Sequence, residues 1–335
     1  MRFINLQEFM TNKNLILAAC CVALMTACVQ QDDFNELVRP TVIEDNSLPR
    51  FTLSDGTILH LETFGDPDST MLLVLHGGPG GDYEGLSVLQ TLSNHYFVVL
   101  FDQRGSGLSQ RLPIGQLTPP KFVEDINEIV TTYSNNKPIY LLGHSWGGAL
   151  ATYYVQQHPE KVAKLLLAEP GACYGAAAEV ANTTAFIFSS EGLHEMLNSG
   201  SYLSFDNDNI ADYRMSVFVN SDVGDYRDFA SPEELQELSF TRFGFFAGYA
   251  VNDWQGNFDG TYDYDFTSGI KENYFGETLI LASDKSQRLG YDFQLQFHVP
   301  KFNNCGITKI ENEGHFFIEL NPELALPLID EFFLN

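Results

Sequence analysis

The chain has 335 residues and a formal charge of −26, with 44% hydrophobic and 13% aromatic residues. That apolar content supports a large core and excludes a disordered chain, and the length suits one α/β core carrying an insertion. The acidic surface repels phosphate backbones and anionic headgroups, which argues against nucleic acid as a partner and gives the excess carboxylates a solubilising role.

Leu15 to Ala27 is a run of 13 apolar and small residues in which Thr26 is the only polar side chain, with Lys13 just before it. It is too short to span a bilayer and fits the apolar segment of a secretion signal. Met10 is an alternative start, which shortens the stretch before Lys13. The run ends Leu24-Met25-Thr26-Ala27-Cys28. This resembles the lipobox of bacterial lipoproteins, where cleavage before the cysteine leaves its thiol to carry lipid, although Met25 stands where leucine is usual. Asp32-Asp33 is similar to the export tag of surface lipoproteins in Bacteroidetes-type bacteria. The resemblance implies a signal over residues 1–27, a lipidated tether over 28–50, and a chain held at the outer membrane of the cell envelope, surface-exposed, through the lipid alone. Of the other cysteines only Cys173 and Cys305 remain after processing, and one pair this far apart gives no disulfide framework, so free thiols are expected.

From Phe51 strand-like runs alternate with helical ones, the pattern of a mostly parallel sheet covered on both faces. Ile58 to Phe64, Met71 to Leu75 and Tyr96 to Phe101 read as strands. Thr118 caps an expected helix entered through Pro119 and Pro120, with Phe122, Ile126, Ile129, Val130 and Tyr133 on one buried face. The decisive stretch is IYLLGHSWGGAL, Ile139 to Leu150: an apolar strand, the turn Gly143-His144-Ser145-Trp146-Gly147, then a small-residue helix. This is the G-x-S-x-G nucleophile elbow in its strand-turn-helix setting, with Ser145 as the nucleophile. The loop His76-Gly77-Gly78-Pro79-Gly80-Gly81 follows a buried strand, and the N–H groups of Gly78 and Trp146 suit a tetrahedral oxyanion. His76 is expected to brace that loop, and Arg104 to pair with a buried carboxylate.

Together HGGPGG, DQRGSGLS and GHSWGG, in this order and spacing, resemble the proline iminopeptidase branch of the α/β-hydrolases over about residues 51–168 and 278–333. The resemblance implies an α/β-hydrolase fold: a mostly parallel eight-stranded sheet with helices on both faces and a mainly helical lid inserted after the sixth strand. It also implies hydrolysis through an acyl-enzyme without metal or cofactor, and supports Gly78 and Trp146 as the oxyanion hole. His144 departs from the pattern, since the peptidases often carry glycine there. The expected organisation is core over 51–169, lid over 170–276 and core over 277–335.

His315 lies in a Gly-His loop after the strand Gly306 to Glu311, late in the chain as the order serine, acid, histidine of this fold requires, and is read as the general base. The histidines form no i, i+4 pair or Cys/His cluster, which argues against a metal site. The acid is less evident. After the strand Thr278 to Ala282 come Ser283-Asp284-Lys285-Ser286, and relatives carry aspartate where Ser286 stands. Asp284, two residues earlier, is the expected acid; Glu169, at the end of the strand Leu165 to Ala168, is the alternative.

The lid is rich in aromatic residues, and Ser231-Pro232-Glu233-Glu234 reads as a helix start. Lid carboxylates that could hold a substrate amine are Glu191, Glu195, Asp212, Glu233, Glu234 and Glu237. Three readings follow: an aminopeptidase releasing proline or another small N-terminal residue, a carboxylester hydrolase with the same triad, and a non-catalytic binding lipoprotein. The first two take a small peptide or ester as substrate; composition sets no oligomeric state. Cys28→Ala is expected to move the protein from the membrane pellet to the soluble fraction; mass spectrometry showing an unlipidated wild-type chain cut elsewhere would remove the lipid-anchor reading.

Overall fold

The structure, a computed structural model, describes residues 38–181, 208–219, 241–256 and 260–335. Cys28 and the rest of residues 1–37 lie outside them. Glu191, Glu195, Glu233, Glu234 and Glu237 also lie outside the described residues, as does the helix start expected at Ser231.

Eight strands form one sheet: β1 Arg50–Thr52, β2 Ile58–Phe64, β3 Met71–Leu75, β4 Phe97–Phe101, β5 Ile139–His144, β6 Val162–Ala168, β7 Glu277–Ser283 and β8 Cys305–Ile310. Their order across the sheet is β1-β2-β4-β3-β5-β6-β7-β8. β2 runs antiparallel to its neighbours, and β4, β3, β5, β6, β7 and β8 are mutually parallel. Every residue of β3 and β4 is buried, as strands covered on both faces must be, which is why they read as unbroken apolar runs. One layer of core lies on each side. On one face the odd-numbered side chains Leu73, Leu75, Val99 and Leu141 pack with Phe122, Ile126 and Leu150; on the other Leu72, Val74, Val98 and Leu142 pack with Leu89, Phe317 and Ile329.

The first face is covered by α1 Pro119–Tyr133 and α2 Trp146–Gln157. Phe122, Val123, Ile126, Ile129 and Val130 are buried on α1, as their spacing requires. The Thr118 side chain makes no capping bond, contrary to the sequence expectation; Pro119 and Pro120 fill the first two helical positions, so of the first three only Lys121 offers an N–H. Between β6 and β7 the described residues carry α3 Gly175–Ala181, α4 Asp208–Val219, α5 Phe245–Trp254 and α6 Ile270–Asn273. After β7 come α7 Tyr291–Phe297, α8 Phe317–Leu320 and α9 Pro322–Leu334. Cys173 is buried and Cys305 half-buried, and both are free thiols.

Parallel strands send their carboxyl ends to one edge, and the chain places its reactive groups there. The loop after β4 is fixed by the buried Arg104, whose Nε lies 2.6 Å from Asp125 Oδ2 on α1 and whose Nη2 also bonds Asp125 Oδ1, with Asp55 Oδ2 at 3.2 Å. The expected pairing with a buried carboxylate is therefore present. Asp125→Ala leaves the guanidinium buried and short of its bidentate partner, and urea unfolding is expected to show a loss of about 3–5 kcal/mol; a loss below about 1 kcal/mol would mean that Asp55 alone suffices.

Candidate active site

The elbow takes shape where β5 meets α2. Ser145 has φ 55° and ψ −123°, a backbone conformation that L-residues adopt only when their surroundings impose it. Two hydrogen bonds impose it here: the Ser145 N–H donates to Ala168 O at 3.1 Å, and its carbonyl accepts from the Gly171 N–H at 2.8 Å. Strand β5 can turn this sharply because the flanking positions lack side chains. A Cβ on Gly143 would sit 2.3 Å from Gly147 O, and one on Gly147 would sit 2.1 Å from Leu75 O.

The loop after β3 crosses directly over the serine, since a Cβ on Gly77 would meet Ser145 Cβ at 3.1 Å. Gly78 has φ 125°, where glycine is required. Trp146 opens α2, so its N–H has no partner within the helix. Among the described residues no backbone carbonyl accepts from the N–H of Gly78 or of Trp146. His76 braces the loop as expected. Its Nε2 accepts from the Gln103 N–H at 3.0 Å, which fixes the hydrogen on Nδ1, and Nδ1 donates to Gly77 O at 2.8 Å. Burial pushes its pKa down, in keeping with a neutral ring. Gln103 continues the brace, donating to His76 O and accepting from Trp146 Nε1, both at 2.9 Å.

His315 comes from the loop after β8. Its ring lies 4.8 Å from that of His144, the residue before Ser145, which puts it at the elbow. The carboxylate brought to it is Glu169, with Oε1 3.2 Å from His315 Nδ1. Glu169 is fully buried at the end of β6, with φ 42°. Its other oxygen, Oε2, accepts from the Ser283 N–H at 3.0 Å and from the Ser283 hydroxyl at 2.6 Å. Burial alone would raise its pKa, but His315 and the hydroxyls of Ser283 and Ser286 outweigh that and hold it below the usual carboxylate range. A depressed pKa makes the carboxylate's contribution to stability fully present above the unfolded value of about 4.3 and lost as pH falls through the folded value.

The expectation of Asp284 beside His315 is not met. Asp284 is exposed, and its own N–H bonds Ile310 O at 3.3 Å. The reason lies in the end of β7, where Ser283 is still buried and turned toward Glu169 while the chain at Asp284 has turned outward. Ser283 is a site residue that sequence reading missed. The available signal was the hydroxyl of Ser286 at the position where the sequence comparison expects an acid, with Ser283 three residues before it. Asp212, the one candidate lid carboxylate among the described residues, is fully engaged: Oδ2 accepts from Nε of Arg111 and of Arg242, each at 2.8 Å, and Oδ1 from the Phe245 N–H at 3.1 Å. Among the described residues no group of three metal-ligating side chains occurs.

A family model described as the alpha/beta hydrolase fold matches residues 70–195, which takes in the glycine loop after β3, the elbow and Glu169. The chain has the α/β-hydrolase fold. Among curated relatives, a proline iminopeptidase of Arabidopsis thaliana is 37% identical over 133 residues, 37% of this chain and 33% of that protein. The match thus spans about a third of the length of that curated relative. Over the whole fold, the crystal structure of a proline iminopeptidase-related protein from Thermus thermophilus superposes with a TM-score of 0.60 at 21% identity, covering 86% of this chain and 96% of that one. A thermophilic esterase from Thermogutta terrifontis gives 0.62 at 17% identity, covering 85% and 98%.

Exchanging the two carboxyls separates their roles. Glu169→Gln is expected to lower kcat on the order of 10⁴-fold, as loss of the orienting charge does in serine triads, with Asp284→Asn within a few-fold of wild type. The opposite ranking, measured on one substrate for both variants, would return the acid to Asp284.

Proposed function

We propose that this protein is a serine hydrolase acting through an acyl-enzyme, with Ser145 as nucleophile, His315 as general base and Glu169 as the acid that orients it. The observation that carries this reading is the strained Ser145 backbone held beside a buried His315–Glu169 pair. With Nδ1 of His315 facing Glu169, this reading gives Nε2 the proton transfer with the serine. The neutral ring takes the Ser145 proton as the hydroxyl attacks a carbonyl, and the carboxylate stabilises the imidazolium that forms. The N–H groups of Gly78 and Trp146 receive the oxyanion, and the protonated ring then gives its proton to the leaving group. Water repeats the sequence to release the acid product. None of these steps calls for a metal or cofactor.

The leading substrate class is a peptide with a free N-terminus, from which proline or another small residue is released. Its support is the similarity to proline iminopeptidases and the three motifs shared with that branch. The amine would be held by one of the lid carboxylates other than Asp212, whose oxygens are committed to arginines and a backbone N–H. That commitment is also the observation that favours the second reading, a carboxylester hydrolase needing no amine site. The lipobox supports placing the enzyme on the outer face of a bacterial outer membrane, with the signal over 1–27, the tether over 28–50 and the lid over 170–276.

The substrate readings part on one measurement. If a lid carboxylate holds a protonated amine, N-acetylation of a peptide amide removes the charge and strands that carboxylate, so kcat/KM is expected to fall by at least about 100-fold. Equal kcat/KM for the free and acetylated compounds would remove the aminopeptidase and leave the esterase.

A further inference from the structure

The second histidine of the site has an unusual pair of partners. His144 Nε2 lies 2.9 Å from the backbone carbonyl oxygen of His315. A carbonyl only accepts, so Nε2 carries a hydrogen. His144 Nδ1 lies 3.2 Å from Glu319 Oε1 on α8. A bare imidazole nitrogen and an ionised carboxylate at that distance would set lone pair against lone pair, so a second proton belongs between them, on one atom or the other. The remaining carboxyl oxygen, Glu319 Oε2, is buried and has no hydrogen-bond partner among the described residues. Left ionised in that position the group would be costly, and a shared proton lowers that cost.

We propose that His144 and Glu319 share one proton and that this proton positions His315, by keeping the His144 tautomer that donates to the His315 carbonyl. The proposal rests on the reading of His315 as the general base, and it makes His144 and Glu319 positioning residues. The proton balance is simple. When the pair releases its proton to solvent, the one hydrogen left on the ring is drawn from Nε2 to Nδ1, where it faces the carboxylate. The His315 carbonyl then loses its donor, and a net negative charge appears behind the elbow.

The groups that face the His144 ring come from four elements. His76 stands in the loop after β3, Glu169 at the end of β6, His315 in the loop after β8 and Glu319 on α8. Phe316 and Gly77 complete the surroundings without titrating, and Gly85 lies against the aliphatic part of Glu319. Burial pushes the His144 pKa down, which favours release of the shared proton, and Glu319 opposes that shift. Helix α8 follows His315 by a single residue, so the same short segment supplies the base and the carboxyl that steadies it through His144.

The test uses the rate at which an uncharged fluorophosphonate labels Ser145, which needs the base but no substrate amine. For the wild type, the rate is expected to trace a bell with pH, its falling limb of about 10-fold or more coming as the shared proton leaves, since a small displacement of a catalytic group costs rates of that order. Glu319→Gln supplies an amide that donates to Nδ1 without titrating, so it is expected to turn the bell into a single rising curve. Glu323→Gln, at an exposed carboxyl on α9, is expected to keep the bell. A bell that persists in Glu319→Gln, or a wild type without a falling limb, overturns the proposal while leaving the serine hydrolase standing. A wild type that is not labelled at Ser145 overturns both. Nitrogen NMR of the His144 ring gives a second readout that needs no variant: its hydrogen is expected to pass from Nε2 to Nδ1 at the pH of the fall, and a ring that keeps Nε2–H throughout also overturns the proposal.

Discussion

The active edge of this molecule depends on a pinch between two adjacent parallel strands. Ser145 donates to Ala168 at the end of β6 and accepts from Gly171 just beyond it, so residues 169 and 170 are held between two bonds to a single elbow residue. The bonds keep Ser145 at a positive φ, and Glu169 between them is held at φ 42°. Each such residue costs on the order of 1–3 kcal/mol, which the surrounding packing must offset. What the strain achieves is placement. It lifts the serine out of the sheet's end and turns Glu169 back toward the loop that carries His315, fixing Ser145 and Glu169 by one piece of geometry.

A buried carboxylate in such a place is stable only if it is solvated by the protein. Ser283 does this with two hydrogen bonds, and His315 supplies the opposing charge once it takes up a proton. The end of β7, which could have supplied the acid itself, supplies hydroxyl and backbone donors for an acid on β6. The two arrangements are chemically equivalent at His315, because both deliver an ionised oxygen to Nδ1.

The other half of the site is built from close backbone approach. The Gly244 N–H donates to Gly80 O at 2.7 Å, and a Cβ on Gly244 would sit 2.1 Å from Gly105 O. The start of α5 is thereby stitched to the loops that follow β3 and β4. Buried polar groups reinforce the stitch: Asp82 accepts from the Arg242 N–H at 3.0 Å, and Arg242 reaches Asp212, Asn209 and the carbonyl of Arg39. The position of the glycine loop after β3 is therefore tied to the segment between β6 and β7 as well as to the sheet.

The sequence by itself determined whatever depends on local spacing. The strand Met71–Leu75 begins and ends where its apolar run does, because burial on both faces leaves no room for polar side chains. The elbow was legible for a similar reason, since only glycine at 143 and 147 permits the turn that Ser145 makes. His315 was legible from its place after the last strand. The identity of the acid was not, because Asp284 and Glu169 each follow an apolar strand and differ only in which way the chain turns at its end. That direction is set by bonds to residues distant in sequence, Ser145 to Ala168 and Ser283 to Glu169, and no local pattern encodes it. The contact of His144 with Glu319, 175 positions apart in the chain, was likewise decided only when β5 and α8 came to the same edge of the sheet.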